Sequence, residues 1–195
     1  MMLRRKPSSA PAPPRAFEEL LAQYVDPLYR TALRLVGGRQ ADAEDLLQDA
    51  CLRAFERFDS LRSPDAARPW LFTILVRTHL NRERSRRRRA ETVEADLDDG
   101  AFERALAGWQ AGPTPEDLFA RDQLRERLRL ALTALPAPLR VVVVLADVEG
   151  FAQREVAEML KIPEGTVASR LFRARRELRD RLASLAPEAL RRRLP

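Results

Sequence analysis

Between Arg82 and Glu103 the chain reverses its charge. Residues 82–89 hold six arginines and one glutamate, a net +5, and residues 91–103 then hold six acids (Glu91, Glu94, Asp96, Asp98, Asp99, Glu103) and no base. Gly108, Gly112, Pro113 and Pro115 follow. No apolar core runs through such a stretch, because unpaired like charges cannot be buried cheaply. The 195 residues are therefore expected to build two small cores, one on each side.

Both flanks read as helical. Apolar residues recur at i, i+3 and i+4 rather than in alternation. Only 7 glycines are present against 33% charged residues, which disfavours a sandwich, a barrel or a glycine-rich nucleotide fold. Phe17, Leu20, Leu21, Tyr24, Leu28, Ala32 and Leu35 outline a first helix over 16–36, with Pro27 a possible kink and Gly37-Gly38 its stop. Leu47, Ala50, Cys51, Ala54, Phe55 and Phe58 outline a second over 41–58. Ser63-Pro64 breaks the chain. Trp70, Leu71, Ile74, Leu75 and Leu80 outline a third over 66–89. Beyond the break, helices are expected at 116–132, 153–160 and 164–185. Val141–Leu145 would pass as a buried strand, and is read as helix because no partner strand is near. The expected class is all-α. A basic, proline-rich, disordered arm (1–15) precedes a helical domain (16–89). A flexible acidic linker (90–115) leads to a second helical domain (116–186) and a basic tail (187–195). Such a linker would let the two domains move independently.

Several classes are excluded. The single cysteine, Cys51, forms no intrachain disulfide or cysteine zinc site and reads as core, and the single histidine, His79, builds no histidine-rich metal centre. No apolar run reaches the ~18–20 residues of a membrane span. The N-terminus lacks the apolar segment of a secretory signal. A cytoplasmic protein with no membrane insertion, no metal and no cofactor is expected. The acids at 91–103 have no histidine nearby, so a hydrolase or nuclease reading finds no site.

Arginine is the informative residue: 33 of the 35 basic residues are Arg, the exceptions being Lys6 and Lys161. A genome rich in G and C raises arginine everywhere but does not cluster it. The segment 153–178, QREVAEMLKIPEGTVASRLFRARREL, has the helix-turn-helix pattern of a short helix, a tight turn and a second helix. Ala157 is small where the helices meet, and Val156, Leu160, Ile162, Val167 and Leu171 fill the wedge. On the second helix Val167, Leu171, Ala174 and Leu178 point one way. Ser169, Phe172, Arg173 and Arg176 point the other. An apolar ring among arginines suits a groove, with apolar contact for a thymine methyl and Arg for guanine or phosphate.

Residues 132–182 resemble the promoter-reading carboxy-terminal domain of the sigma-70 family in its extracytoplasmic-function (ECF) group. The resemblance rests on Leu135-Pro136, Arg140, Asp147-Val148-Glu149-Gly150, Glu155-Val156-Ala157 and the run from Gly165-Thr166-Val167 to Arg175. Residues 17–89 resemble the family's amino-terminal domain, through Asp45-Leu46-Leu47-Gln48-Asp49, Leu52-Arg53-Ala54-Phe55, Trp70-Leu71, Ile74, Asn81 and the arginine run. The resemblance implies an ECF-type sigma factor, not an enzyme, that binds core RNA polymerase and directs promoter recognition and melting. Asp45, Gln48, Asp49, Leu52 and Arg53 would contact core polymerase. Trp70, Asn81, Arg84, Arg86 and Arg87 would hold the melted minus-10 strand, aided by a base-accepting loop at 60–68. Ser169, Arg170, Phe172, Arg173, Arg175 and Arg176 would contact the minus-35 duplex. Many relatives also bind an anti-sigma factor.

Three positions depart from the family pattern. Ala168 stands where a basic residue is common, Arg77 where Asn is frequent, and Lys161 where the turn commonly has Gly, at a cost of ~1–2 kcal/mol if its φ is positive. The rival reading is a stand-alone helix-turn-helix transcriptional regulator that dimerises on a palindrome, with residues 16–89 as a dimerisation or ligand domain.

Overall fold

The computed structural model describes residues 14–90 and 115–185. These form α1 (Pro14–Leu35), α2 (Gln40–Glu56), α3 (Ala67–Ala90), α4 (Pro115–Thr133), α5 (Ala137–Val143), α6 (Gln153–Leu160) and α7 (Glu164–Leu185). Two single 3₁₀ turns, Phe58–Ser60 and Pro64–Ala66, lead from α2 into α3. Among the described residues there is no strand, and no helix is long and apolar enough to cross a membrane. The expected arm, linker and tail lie, but for their edge residues, outside the described residues.

α1 buries Phe17, Leu28, Ala32 and Leu35, each large one contributing about 1.5–3 kcal/mol. Pro27 lies inside α1, which continues past it. Gly37 and Gly38 end the helix at φ 77° and 85°. There the Gly38 amide donates to the Leu33 carbonyl at 2.7 Å, a left-handed cap that needs residues without Cβ.

α2 packs on α1 and α3 through Ala43, Leu46, Ala50 and Ala54. The centre of its stripe therefore lies one residue from that expected. Small alanines let α1 approach closely, so the adjacent Phe55 is rotated out and is 53% exposed. Its ring stays edge-on to Phe17 at 5.3 Å. Cys51, expected in the core, is half-buried, and burial pushes its thiol pKa up.

Val141–Leu145 is fully buried helix, ending in a π turn over Val144–Val148. There the Glu149 amide donates to Val144 at 2.9 Å and the Phe151 amide to Leu145 at 3.0 Å. The turn between α6 and α7 places Lys161 at φ 56°, ψ 48°, the non-glycine positive φ that the sequence anticipates. The Ile162 amide donates back to Ala157 at 3.1 Å.

The two cores read from the sequence are continuous here, the buried residues of both halves forming one hydrophobic cluster. The two halves pack directly against each other, through α3 with α5 and α6 and through α1 with α4 and α5. α3 is buried on two sides. Leu71 and Leu75 belong to the expected stripe, but Phe72, Val76, Thr78 and His79 are buried too. Phe72 meets Phe151 of the second half edge-on, with centroids 5.4 Å apart.

Candidate nucleic-acid and docking surfaces

α7 sorts its side chains as its periodicity requires. Val167, Leu171 and Ala174 are buried, and Leu178 packs against the same core. Ser169, Arg173 and Arg176 are exposed, and Phe172 is 73% exposed. Leaving a phenylalanine in water forgoes roughly 1.5–3 kcal/mol. The row borders a groove lined by Gln153, Ala168, Phe172, Arg175, Arg176 and Arg179. Gln153 and Arg179 are absent from the site read in the sequence. Arg179 is legible there after all, seven residues beyond Phe172 and three beyond Arg176 on the same row.

Two α7 arginines differ from their neighbours. Arg170 is half-buried. Arg175 donates to Asp147 from Nε at 3.0 Å and from Nη2 at 2.6 Å. That hydrogen bond, then the Asp147 charge, raises its pKa. Arg175 therefore ties α7 to the turn after α5.

The outer face of α2 presents Asp45, Gln48 and Arg53 exposed, with Leu52 58% exposed among them. Phe55 extends that apolar point along the helix. Asp49 is half-buried because Arg82 of α3 holds it.

Around α3 the residues divide. The loop before it exposes Asp59, Ser60, Arg62, Ser63, Pro64 and Asp65. Trp70 is half-buried and packed on the core. Asn81, Arg84 and Arg87 are exposed. Arg86 is exposed but pairs with Asp42 at 3.0 Å and Glu83 at 3.7 Å. Burial pushes the Asp42 pKa up, but the hydrogen bond and charge of Arg39, joined by Arg86, hold it below the usual range. Arg77 points to the second half, donating from Nε to the Met159 carbonyl at 2.9 Å.

His79 is 2% exposed. Burial, then the charges of Arg140, Arg86 and Arg82, lower its pKa to about 4. Its Nε2 and the Nε of nearby Arg140 have no hydrogen-bond partner. Arg140 otherwise donates to the carbonyls of Thr133 at 2.6 Å, Leu135 at 2.9 Å and Leu35. Burial lowers its pKa from the ordinary guanidinium value. Among the described residues no group of three or more His, Cys, Asp or Glu could hold a metal ion.

A helical protein with a helix-turn-helix half, a row of exposed arginines around Phe172 on α7 and a separate outer face of α2 that exposes Leu52 among polar and charged residues is the class these features define. Comparison with known proteins makes the class specific. Residues 20–89 match sigma-70 region 2 and residues 125–178 match sigma-70 region 4. The ECF RNA polymerase sigma factor SigE of Mycolicibacterium smegmatis is 36% identical over 174 residues, 89% of this chain and 64% of that protein's length. The RNA polymerase sigma-H factor of Pseudomonas aeruginosa is 29% identical over 90% of each chain. The sigma factor RpoE of Bartonella quintana, solved in complex with the anti-sigma factor NepR, superimposes with a TM-score of 0.68. It is 27% identical and covers 86% of this chain and 97% of that one. The chain belongs to the sigma-70 family, in its ECF group.

Proposed function

We propose that this protein is a promoter-specificity subunit of RNA polymerase. The outer face of α2, with Gln48, Leu52 and Arg53 at its centre, docks on core polymerase. The exposed loop before α3, with Trp70 and the Asn81, Arg84 and Arg87 face, takes the minus-10 strand as it melts. Aromatic stacking and arginine contacts to the backbone are the means, and they offset the few kcal/mol of flipping out a base. Ser169, Phe172, Arg173 and Arg176 read the minus-35 duplex. Arg170 and Arg175 sit at the edges of that row, Arg175 in a positioning role through Asp147. The protein catalyses nothing itself and works in the cytoplasm beside the polymerase. An anti-sigma factor is a further candidate partner, since RpoE and CnrH, both similar in fold, were solved in complex with NepR and with the cytosolic domain of CnrY.

The observation that carries the reading is the 73% exposed Phe172, set between Ser169, Arg173 and Arg176 on the second helix of the helix-turn-helix. The test is run-off transcription with purified core polymerase on genomic promoter fragments, starting with the protein's own upstream region. Specific transcripts that vanish with Leu52→Asp support it. A chain that binds duplex DNA but neither copurifies with core polymerase nor yields transcripts is a stand-alone regulator instead.

A further inference from the structure

α6 brings one uncommitted side chain to the groove beside α7. The chain enters α6 from Phe151, which is 4% exposed, and the Ala152 amide donates to Glu155 Oε2 at 2.7 Å. Gln153 is the first residue of the helix. It stands three and four residues before Val156 and Ala157, both buried, so it shares the face that α6 turns inward. Its neighbour Arg154 pairs instead with Glu158, at 3.4 Å. Gln153 is exposed, and among the described residues its carboxamide has no hydrogen-bond partner.

The other wall belongs to α7, where Ala168, Phe172, Arg175 and Arg176 line the same groove as Gln153. Ala168 lies four residues before Phe172 and seven before Arg175, on one face of the helix. A lysine or arginine at 168 would extend over that face. The methyl group of Ala168 leaves the groove open, with Leu171 and the Phe172 ring as its apolar lining.

This combination has a chemical preference. A carboxamide offers an acceptor oxygen beside an NH₂ donor. On the major-groove edge adenine sets an acceptor, N7, beside a donor, N6, so one glutamine satisfies both. Guanine sets two acceptors there and suits arginine. The cations that phosphates need are supplied along α7 by the exposed Arg173, Arg176 and Arg179, and the neutral Gln153 adds none.

We propose that Gln153 is a specificity-determining residue that reads adenine in the duplex engaged by α7, and that Ala168 admits the base edge to it. This deepens, and rests on, the minus-35 reading proposed above.

The test uses the full chain and a pool of duplexes randomised over one helical turn. The wild type should enrich a motif with adenine at one position. Titrated against the four versions of that base pair, it should prefer adenine by about 5- to 150-fold. Gln153→Ala should bind the four within twofold of one another. It should keep the preferences at other positions, which shows that it is folded. Gln153→Glu should move the preference to cytosine, whose N4 amine donates to a carboxylate. Ala168→Arg should lose the adenine preference as Gln153→Ala does. A motif without adenine overturns the assignment, as does a Gln153→Ala chain that keeps every wild-type preference. So does one that weakens binding to all duplexes alike, as loss of a phosphate contact would. An Ala168→Arg chain that still prefers adenine overturns the role of Ala168. A wild-type chain that enriches no motif removes the minus-35 reading itself.

Discussion

Arg82 on α3 donates two hydrogen bonds to one carboxylate oxygen of Asp49 on α2, from Nε at 3.0 Å and from Nη2 at 2.5 Å. Nη2 also donates to the Asp45 carbonyl at 3.0 Å. The sequence places Asp49 on a docking face and Arg82 in a nucleic-acid-binding run, yet the two hold each other. The clamp fixes α3 beside α2, and leaves Gln48, Leu52 and Arg53 as the unencumbered part of the proposed docking face.

Asp49→Asn should therefore lower stability by no more than about 1 kcal/mol, since the pair is partly exposed and screened. Leu52→Asp should leave stability within ~0.5 kcal/mol and abolish binding to core polymerase. Urea denaturation and holoenzyme gel filtration on the two variants check both statements. Holoenzyme formation by folded Leu52→Asp would remove the docking assignment.

Stability should fall with acidity through His79. Its native pKa of about 4 lies below the ordinary 6.5, so between these values the unfolded chain binds more protons and stability rises with pH. The His79 contribution is complete above pH 6.5 and lost as pH falls to 4, amounting to roughly 3 kcal/mol. Asp42, held low by Arg39 and Arg86, loses its contribution at still lower pH and in the same direction. His79→Leu should flatten the wild-type slope between pH 6.5 and 4. Parallel pH profiles for the two proteins would show that His79 can be protonated without cost.

Lys161 holds a left-handed conformation at φ 56°. Lys161→Gly should raise stability by about 0.5–1 kcal/mol, the relief of the Cβ clash less the extra entropy of an unfolded glycine. Lys161→Val should lower it. Thermal melts in which glycine and valine rank the other way would show that the turn is not strained.

On α7, Phe172→Ala and Arg173→Ala should each narrow the preference for a matched over a scrambled minus-35 duplex by ~1–3 kcal/mol. Arg179→Ala, further along the same row, should instead weaken binding to both duplexes alike and reduce the salt dependence. Titrations at two salt concentrations separate the two behaviours. An unchanged matched-to-scrambled ratio for Phe172→Ala would mean that this face does not read sequence.

Local order was legible wherever one periodicity governed a segment. The helix-turn-helix, the two faces of α7, the helix over Val141–Leu145 and the positive φ at Lys161 follow from spacing, turn chemistry and the lack of a partner strand. Phe55 misled because period alone cannot tell an alanine contact from an aromatic one. The three buried alanines of α2, Ala43, Ala50 and Ala54, drew α1 close and turned the ring outward.

What the sequence by itself determined is the all-α class, the two helical blocks on either side of the charge reversal, and which side chains face outward on α7. The tertiary structure decided how those blocks meet. Phe72 lies off the stripe read for α3, and the second half supplies Phe151 for it to pack against. Arg77, Arg140 and Glu149 read as surface charges or family markers until they find partners 82, 105 and 118 residues away along the chain. Period reports the solvent boundary of a single helix. It carries no record of which distant helix will supply the other side.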